Sequence, residues 1–277
     1  MVIVRTMRGP FQVMEVFYPR IDEIPVLVNN LSFNQIVYLR QMSVNLPRAQ
    51  LAASYIPFET SLLDLNRDER NLLACMSRTC RYQIRKADDL ACRVEVREND
   101  STACRDFLSL HNQFVTLKRH AERLSEGRLQ AYRRAGDVLV AYFDGQPVCG
   151  HLVLRDERVR RVGVLFTASR RLLAGERTTF ISALNRWLHW YEMRQYKSQG
   201  MNVYDFGGLG TDTAEKTSIA FFKQSFGGTP VLEHSYLLAR LTARIAVRLF
   251  YMSRRIRSRN PLTGILNNNS VRSLAYL

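Results

Sequence analysis

The stretch DVLVAYFDGQPVCGHLVLRDERVRRVGVLFTA, residues 137–168, constrains the fold more than any other part of the chain. Three runs of strand length are broken by Asp144-Gly145, which suits the left-handed positions of a two-residue hairpin, and by a second reversal at Asp156-Glu157. The pattern predicts a three-stranded antiparallel meander, and the remaining segments have to pack around it.

Those segments alternate in period. Residues 1–60 carry short apolar runs (VIV, FQVMEVF, IPVLV, QIVYL, ASYIPF) punctuated by Pro and Asn, which predicts a β-rich N-terminal segment. Helical spacing follows over about 67–89, where Cys80, Ile84 and Ala87 share one face and Arg78, Arg81 and Arg85 another. After the meander, Phe180, Leu184, Trp187, Leu188 and Tyr191 mark a helix that stops at Gly200. A strand, NVYDF, comes next, and then a helix whose Ile219, Phe222 and Phe226 face inward, closed by Gly227-Gly228. The last segment places Leu237, Leu241, Ile245, Leu249, Met252 and Ile256 opposite Arg240, Arg244, Arg248, Arg255 and Arg259, which predicts a basic amphipathic helix. The expected class is α+β, a mixed and mostly antiparallel sheet flanked by helices. The expected division is 1–60 (N-terminal strands), 61–235 (main domain) and 236–277 (basic helix and tail).

Charge narrows the partners. The net charge is +15, and no acid follows Glu233 although eight arginines do, which implies an anionic partner. An anionic membrane surface meeting residues 237–259 fits this imbalance; packing of the same apolar stripe on the protein's own sheet is the other reading. Five cysteines, odd in number and without a CxxC pair, fit reduced thiols, and none of the five histidines is spaced for metal. No secretory signal or membrane-length apolar run is present, so the expected location is the cytoplasm, peripheral to the inner membrane face.

The order of elements, together with NRWLHWYEMRQYKSQGMNVYDFGG and the following FFKQSFGG, resembles the Fem-type branch of the GNAT acyltransferase superfamily. MSRTCRYQIRKA resembles the helical entry motif of that branch, and the resemblance covers about residues 60–232. It implies a GNAT-like sheet in which two neighbouring parallel strands splay. It also implies an N-acyltransferase moving an acyl group from acyl-CoA to an amine of a cell-envelope sugar or lipid-linked precursor. Transfer from aminoacyl-tRNA is the alternative within the branch; a non-catalytic basic module binding lipid or RNA is the alternative outside it.

Acyl transfer to an amine needs a group to take the amine proton, cations or amides to hold the oxyanion, and a proton for the leaving group. Asp205, at the end of the DFGG strand, suits orienting or deprotonating the amine, or bracing the glycine turn. Tyr204 suits protonating a leaving thiolate, or filling core. Lys223 is implied by the resemblance to hold the oxyanion or donor phosphate. Gly207 and Gly208 permit close approach to the donor. Arg170, Ala174 and Gly175 form a degenerate phosphate loop ahead of a helix N-terminus. The stripe Arg78, Arg81 and Arg85 suits an acceptor phosphate or carboxylate, or a solvated helix face.

Overall fold

The computed structural model describes residues 1–46, 54–118, 123–173, 178–209 and 214–239. Its sheet has ten strands: β1 (Val2–Arg8), β2 (Phe11–Phe17), β3 (Gln35–Met42), β4 (Ser54–Asp64), β5 (Val94–Glu98), β6 (Gly136–Phe143), β7 (Gln146–Asp156), β8 (Arg161–Ser169), β9 (Val203–Gly208) and β10 (Thr229–Ala239). The spatial order is β1-β2-β3-β10-β4-β9-β8-β7-β6-β5. Pairing is antiparallel except between β2 and β3 and between β8 and β9. The helices are α1 (Ile24–Asn29), α2 (Glu69–Cys75), α3 (Arg78–Asp88), α4 (Ser101–Lys118), α5 (Glu126–Arg133), α6 (Thr178–Ser198) and α7 (Ala214–Gln224). Among the described residues, no helix is long and apolar enough to cross a membrane.

The meander forms as the turn chemistry dictates. Asp144 and Gly145 both take positive φ, 49° and 75°, and close the β6–β7 hairpin. Helix α6 ends where Gly200 adopts φ 83° and the Met201 amide bonds back to the Tyr196 carbonyl, freeing the chain to enter β9. The predicted stripe of α6 divides: Leu184 and Leu188 are buried, whereas Phe180, Trp187 and Tyr191 lie at the margin of the same core. That core also holds Leu63, Ile84, Tyr204 and Phe226, and so joins α3, α6 and α7 to one face of the sheet. A second core, with Phe107, Leu129, Tyr132 and Val140, joins α4 and α5 to the other.

Several expectations change, among them the inward face of α7, where Ile219 is exposed. IPVLV is not a strand: Pro25 opens α1, where its missing N–H costs nothing. Residues 236–239 are not helical but end β10, with Tyr236 and Leu238 buried and Leu237 less so, a period of two. Leucines at this spacing satisfy both periods over one turn, and pairing with β3 and β4 on either side decides for the strand. The rest of the predicted basic helix, 240–259, lies outside the described residues. β4 runs across the expected boundary at residue 60, so the N-terminal strands and the later ones share one sheet.

Candidate functional site

Strands β8 and β9 run parallel and pair at only three positions: Arg161 with Val203, Val162 with Tyr204 and Gly163 with Asp205. Beyond these, β8 stays with β7 as far as Ser169, and β9 stays with β4 as far as Gly208, so the two strands part. A register shift opposite Leu152 and Val153 bends β8 where the separation starts. Gly207 then turns β9 at φ 72°; a Cβ here would sit 2.8 Å from the Val164 carbonyl oxygen, so only glycine fits.

Helix α7 brings Lys223 to this point. Its Nζ donates to the Gly208 carbonyl at 2.7 Å and would lie 3.7 Å from a Cβ on Gly207. The lysine is half-buried along its length, with the ammonium turned inward. Burial pushes its pKa down to about 8, and the Asp205 charge opposes only part of that shift. The DFGG edge and the lysine of FFKQSFGG, 15 residues apart, therefore meet where the sheet opens.

Asp205 is 1% exposed and its oxygens are fully engaged. Oδ1 accepts from the Thr60 hydroxyl and from the Gly207 amide at 2.8 Å. Oδ2 accepts from Arg161 Nη2 at 2.6 Å and Gln41 Nε2 at 2.7 Å, with the Tyr18 hydroxyl at 3.5 Å. Arg161 also donates to both oxygens of Glu233, at 2.6 and 2.9 Å. Burial alone would raise the Asp205 carboxyl; Arg161, Thr60 and the Gly207 amide outweigh it and hold the pKa below its ordinary 3.8. Gln41, Glu233, Thr60, Asp205 and Arg161 come from β3, β10, β4, β9 and β8, five consecutive strands of the sheet. The carboxylate has no lone pair to spare for an amine proton; it braces the glycine turn and ties the strands together.

Tyr204 faces the opposite side and is fully buried. Its hydroxyl donates to Glu192 Oε2 and lies 2.8 Å from His189 Nδ1. Glu192 Oε1 is 2.8 Å from His151 Nδ1, and Asn185 Oδ1 is 3.1 Å from the other nitrogen of that ring. Burial, then the Glu192 charge, drives the Tyr204 pKa well above 10. His151, His189 and Glu192 offer ligand atoms within 4.8 Å of one another, close enough for a metal ion. The two imidazoles lie 4.1 Å apart, tilted by 32°, and His151, Glu192 and His189 Nδ1 are engaged in hydrogen bonds with one another, Tyr204 and Asn185.

Of the other predicted residues, Arg78, Arg81 and Arg85 lie on α3 and not on β8, β9 or α7. Arg170 is half-buried in a 3-10 turn, Arg170–Leu173, that follows β8; Ala174 and Gly175 lie outside the described residues. Gly208 abuts the Phe58 ring, 3.3 Å from where a Cβ would be. Arg78 and Arg85 are exposed on α3. Arg81 donates instead to the carbonyls of Leu73, Ala74 and Met76, satisfying the end of α2. Arg81→Ala is therefore expected to lower stability by about 1–2 kcal/mol and leave substrate affinity unchanged. A KM raised tenfold at unchanged stability would restore the substrate-binding role.

The sequence reading also missed Arg186. It lies 4.4 Å over the Phe222 ring with its Nε unpaired, and among the described residues no carboxylate partners it. Burial lowers its pKa, and the nearby Arg171 charge adds to this. No motif advertised it, since a single arginine inside an amphipathic helix has no sequence signature. An open groove of about 710 Å³ runs along α4, and none of its lining residues belongs to the splay.

The family model of the acetyltransferase (GNAT) domain matches residues 76–217. No curated protein sequence matches the chain. Among solved structures, FemX superposes with a TM-score of 0.59 at 12% identity, covering 89% of this chain and 85% of that one. The C-terminal domain of an Agrobacterium fabrum protein assigned as a lysylphosphatidylglycerol synthetase gives 0.56 at 14% identity, over 89% and 83% of the two chains. L-PGS from Bacillus licheniformis gives 0.53 at 12% identity, over 90% and 84%. The splay of β8 from β9, the glycine turn and the lysine beside it thus sit in a chain that belongs to the acetyltransferase (GNAT) domain family, with a fold shared with FemX.

Proposed function

We propose that the protein transfers an acyl or aminoacyl group to an amine at the β8–β9 splay, with acyl-CoA as donor and a cell-envelope sugar or lipid-linked precursor as acceptor. The observation that carries this reading is the meeting of Lys223 Nζ with the Gly207-Gly208 edge, 2.7 Å from the Gly208 carbonyl oxygen, where β8 loses its neighbour. Past Gly163, among the described residues, the β9-facing edge of β8 has no strand beside it, which suits main-chain bonding to an extended donor. Lys223 keeps two N–H groups for an oxyanion, and Asp205 holds the turn that presents them. Arg186 and Lys223 place two cations near the same core, a setting that favours a donor or acceptor bearing negative charge.

A second donor has specific support. The chain's +15 charge suits a polyanion, and the fold neighbours include FemX and a lysylphosphatidylglycerol synthetase, the latter named for placing an aminoacyl group on a lipid. Titration of the full chain with acyl-CoA and with charged tRNA, at low and raised salt, separates the two. Acyl-CoA is expected to bind with affinity that changes little with salt, because few phosphates are neutralised, whereas tRNA binding weakens steeply. Binding of charged tRNA alone, with no acyl-CoA saturation, overturns the CoA assignment; binding of neither removes the transferase reading.

A further inference from the structure

We propose that His189 is the proton acceptor of the transfer, set in its working tautomer by a hydrogen-bonded chain through Tyr204, Glu192 and His151. The inference deepens the transferase reading and rests on it for its chemistry, though not for its structural test.

Counting protons fixes the tautomer. Tyr204 has one hydroxyl hydrogen, and its close contact with Glu192 Oε2 requires that hydrogen between the two oxygens. Toward His189 the phenol oxygen can then only accept, so the 2.8 Å contact is a bond donated by Nδ1–H. Nε2 is left with a bare lone pair. Glu192 Oε1 shares a second hydrogen bond with His151 Nδ1 at 2.8 Å, so the side chain is held at both oxygens.

The bare nitrogen belongs to the site by position. His189 is 2% exposed, with its ring centroid 5.6 Å from Phe206, 5.8 Å from Phe222 and 5.3 Å from Phe226. Phe206 is the first β9 residue past the last position paired with β8. Phe222 precedes Lys223 on α7, and the charges of Lys223 and Arg186 both act on the His189 ring. A histidine kept only as core filling is expected to satisfy both nitrogens; among the described residues Nε2 has no hydrogen-bond partner.

The groups facing the ring are His151 of β7, Tyr204 of β9, Lys223 of α7, and Arg186 and Glu192 of its own helix. Burial, then His151, Lys223 and Arg186, pushes the His189 pKa well below 6.5, so the ring is neutral and its lone pair available at neutral pH. Such a base is too weak to strip a free ammonium, but it does not need to. When a neutral amine attacks the acyl carbonyl, its N–H becomes acidic as the C–N bond forms, and Nε2 takes that proton. The C–S or C–O bond to the carrier then breaks, and the imidazolium returns the proton to the leaving thiolate or alkoxide. The charge on the ring in between is balanced through Tyr204 by the Glu192 carboxylate. Tyr204, Glu192 and His151 are positioning residues; His189 touches the reacting atoms.

The test uses the full chain and two readouts. Nitrogen chemical shifts of the imidazoles should show His189 neutral with its proton on Nδ1 from pH 8 down to 6, and Tyr204→Phe should abolish the preference for Nδ1. A proton on Nε2, or a ring protonated at pH 7, overturns the proposal whether or not any transfer is ever detected. In the transfer assay, His189→Ala and His189→Gln should each lower kcat by about 100-fold or more with KM little changed. Added imidazole should restore part of the His189→Ala rate and none of the His189→Gln rate. A folded His189→Gln variant within threefold of the parent rate sinks the catalytic role, even if the tautomer is as described. Failure of every donor to bind defeats the transferase reading, and the shift measurement still decides the state of His189.

Discussion

Removing the Asp205 carboxylate is expected to cost the fold about 3–5 kcal/mol, because a buried ion pair broken on one side leaves an uncompensated charge inside the protein. Asp205→Ala deprives Arg161, Thr60, Gln41 and the Gly207 amide of their shared acceptor. Arg161 keeps Glu233, so the loss should stay short of complete unfolding. Urea denaturation followed by tryptophan fluorescence measures the change. A loss under about 1 kcal/mol, the range of exposed pairs, would contradict the bracing role. The pH dependence has a definite sign. The folded pKa lies below the unfolded 3.8, so the carboxylate's stabilisation is complete above that value and is lost as the pH falls through the folded pKa. The gap between the parent protein and Asp205→Asn should therefore be widest near neutrality and should close in acid. Because no oxygen of Asp205 is free for a proton, Asp205→Asn that remains folded at low temperature should keep transfer within about tenfold. Loss of a general base would remove about 100-fold or more.

Lys223→Met should do the reverse, with a small effect on stability and a drop in transfer of about 100- to 1000-fold, the cost of losing one donor to a developing oxyanion. Methionine preserves most of the volume and apolar contact while removing the ammonium, so donor binding should survive. The parent rate should also fall as the pH passes about 8, where the lysine gives up its proton and with it part of its donor strength. A rate flat from pH 7 to 9.5, or a Lys223→Met variant retaining more than a tenth of the parent rate, removes Lys223 from the reaction. Together the two substitutions separate the two sides of the glycine turn, one holding it and the other acting from it.

How much of this was legible in the chain depends on the range of the interaction. The β6–β7 hairpin could be read because Asp144-Gly145 determines its own turn, and the stop of α6 because Gly200 takes a conformation that other residues resist. The meeting of DFGG with Lys223 was readable through resemblance, and the local strand and helix deliver it. The contacts of Arg81 with the end of α2 were not legible, because an exposed stripe and a set of helix-end contacts have the same spacing and only the position of α2 distinguishes them. The partners of Asp205 were invisible for a different reason. Gln41, Thr60 and Arg161 lie on three other strands and Tyr18 just past a fourth, up to 187 residues away, and no local pattern relates them.

The sequence by itself determined the elements whose causes are local: the meander, the amphipathic stripe of α6, the glycine that stops it, and the strand and helix carrying Asp205 and Lys223. Tertiary structure alone decided which side chains share a buried charge. It placed Asp205 among five donors and turned Tyr204 toward Glu192 and His189. The reason is physical: hydrogen bonds and desolvation depend on distances between strands, and those distances are fixed only once the sheet has chosen its order.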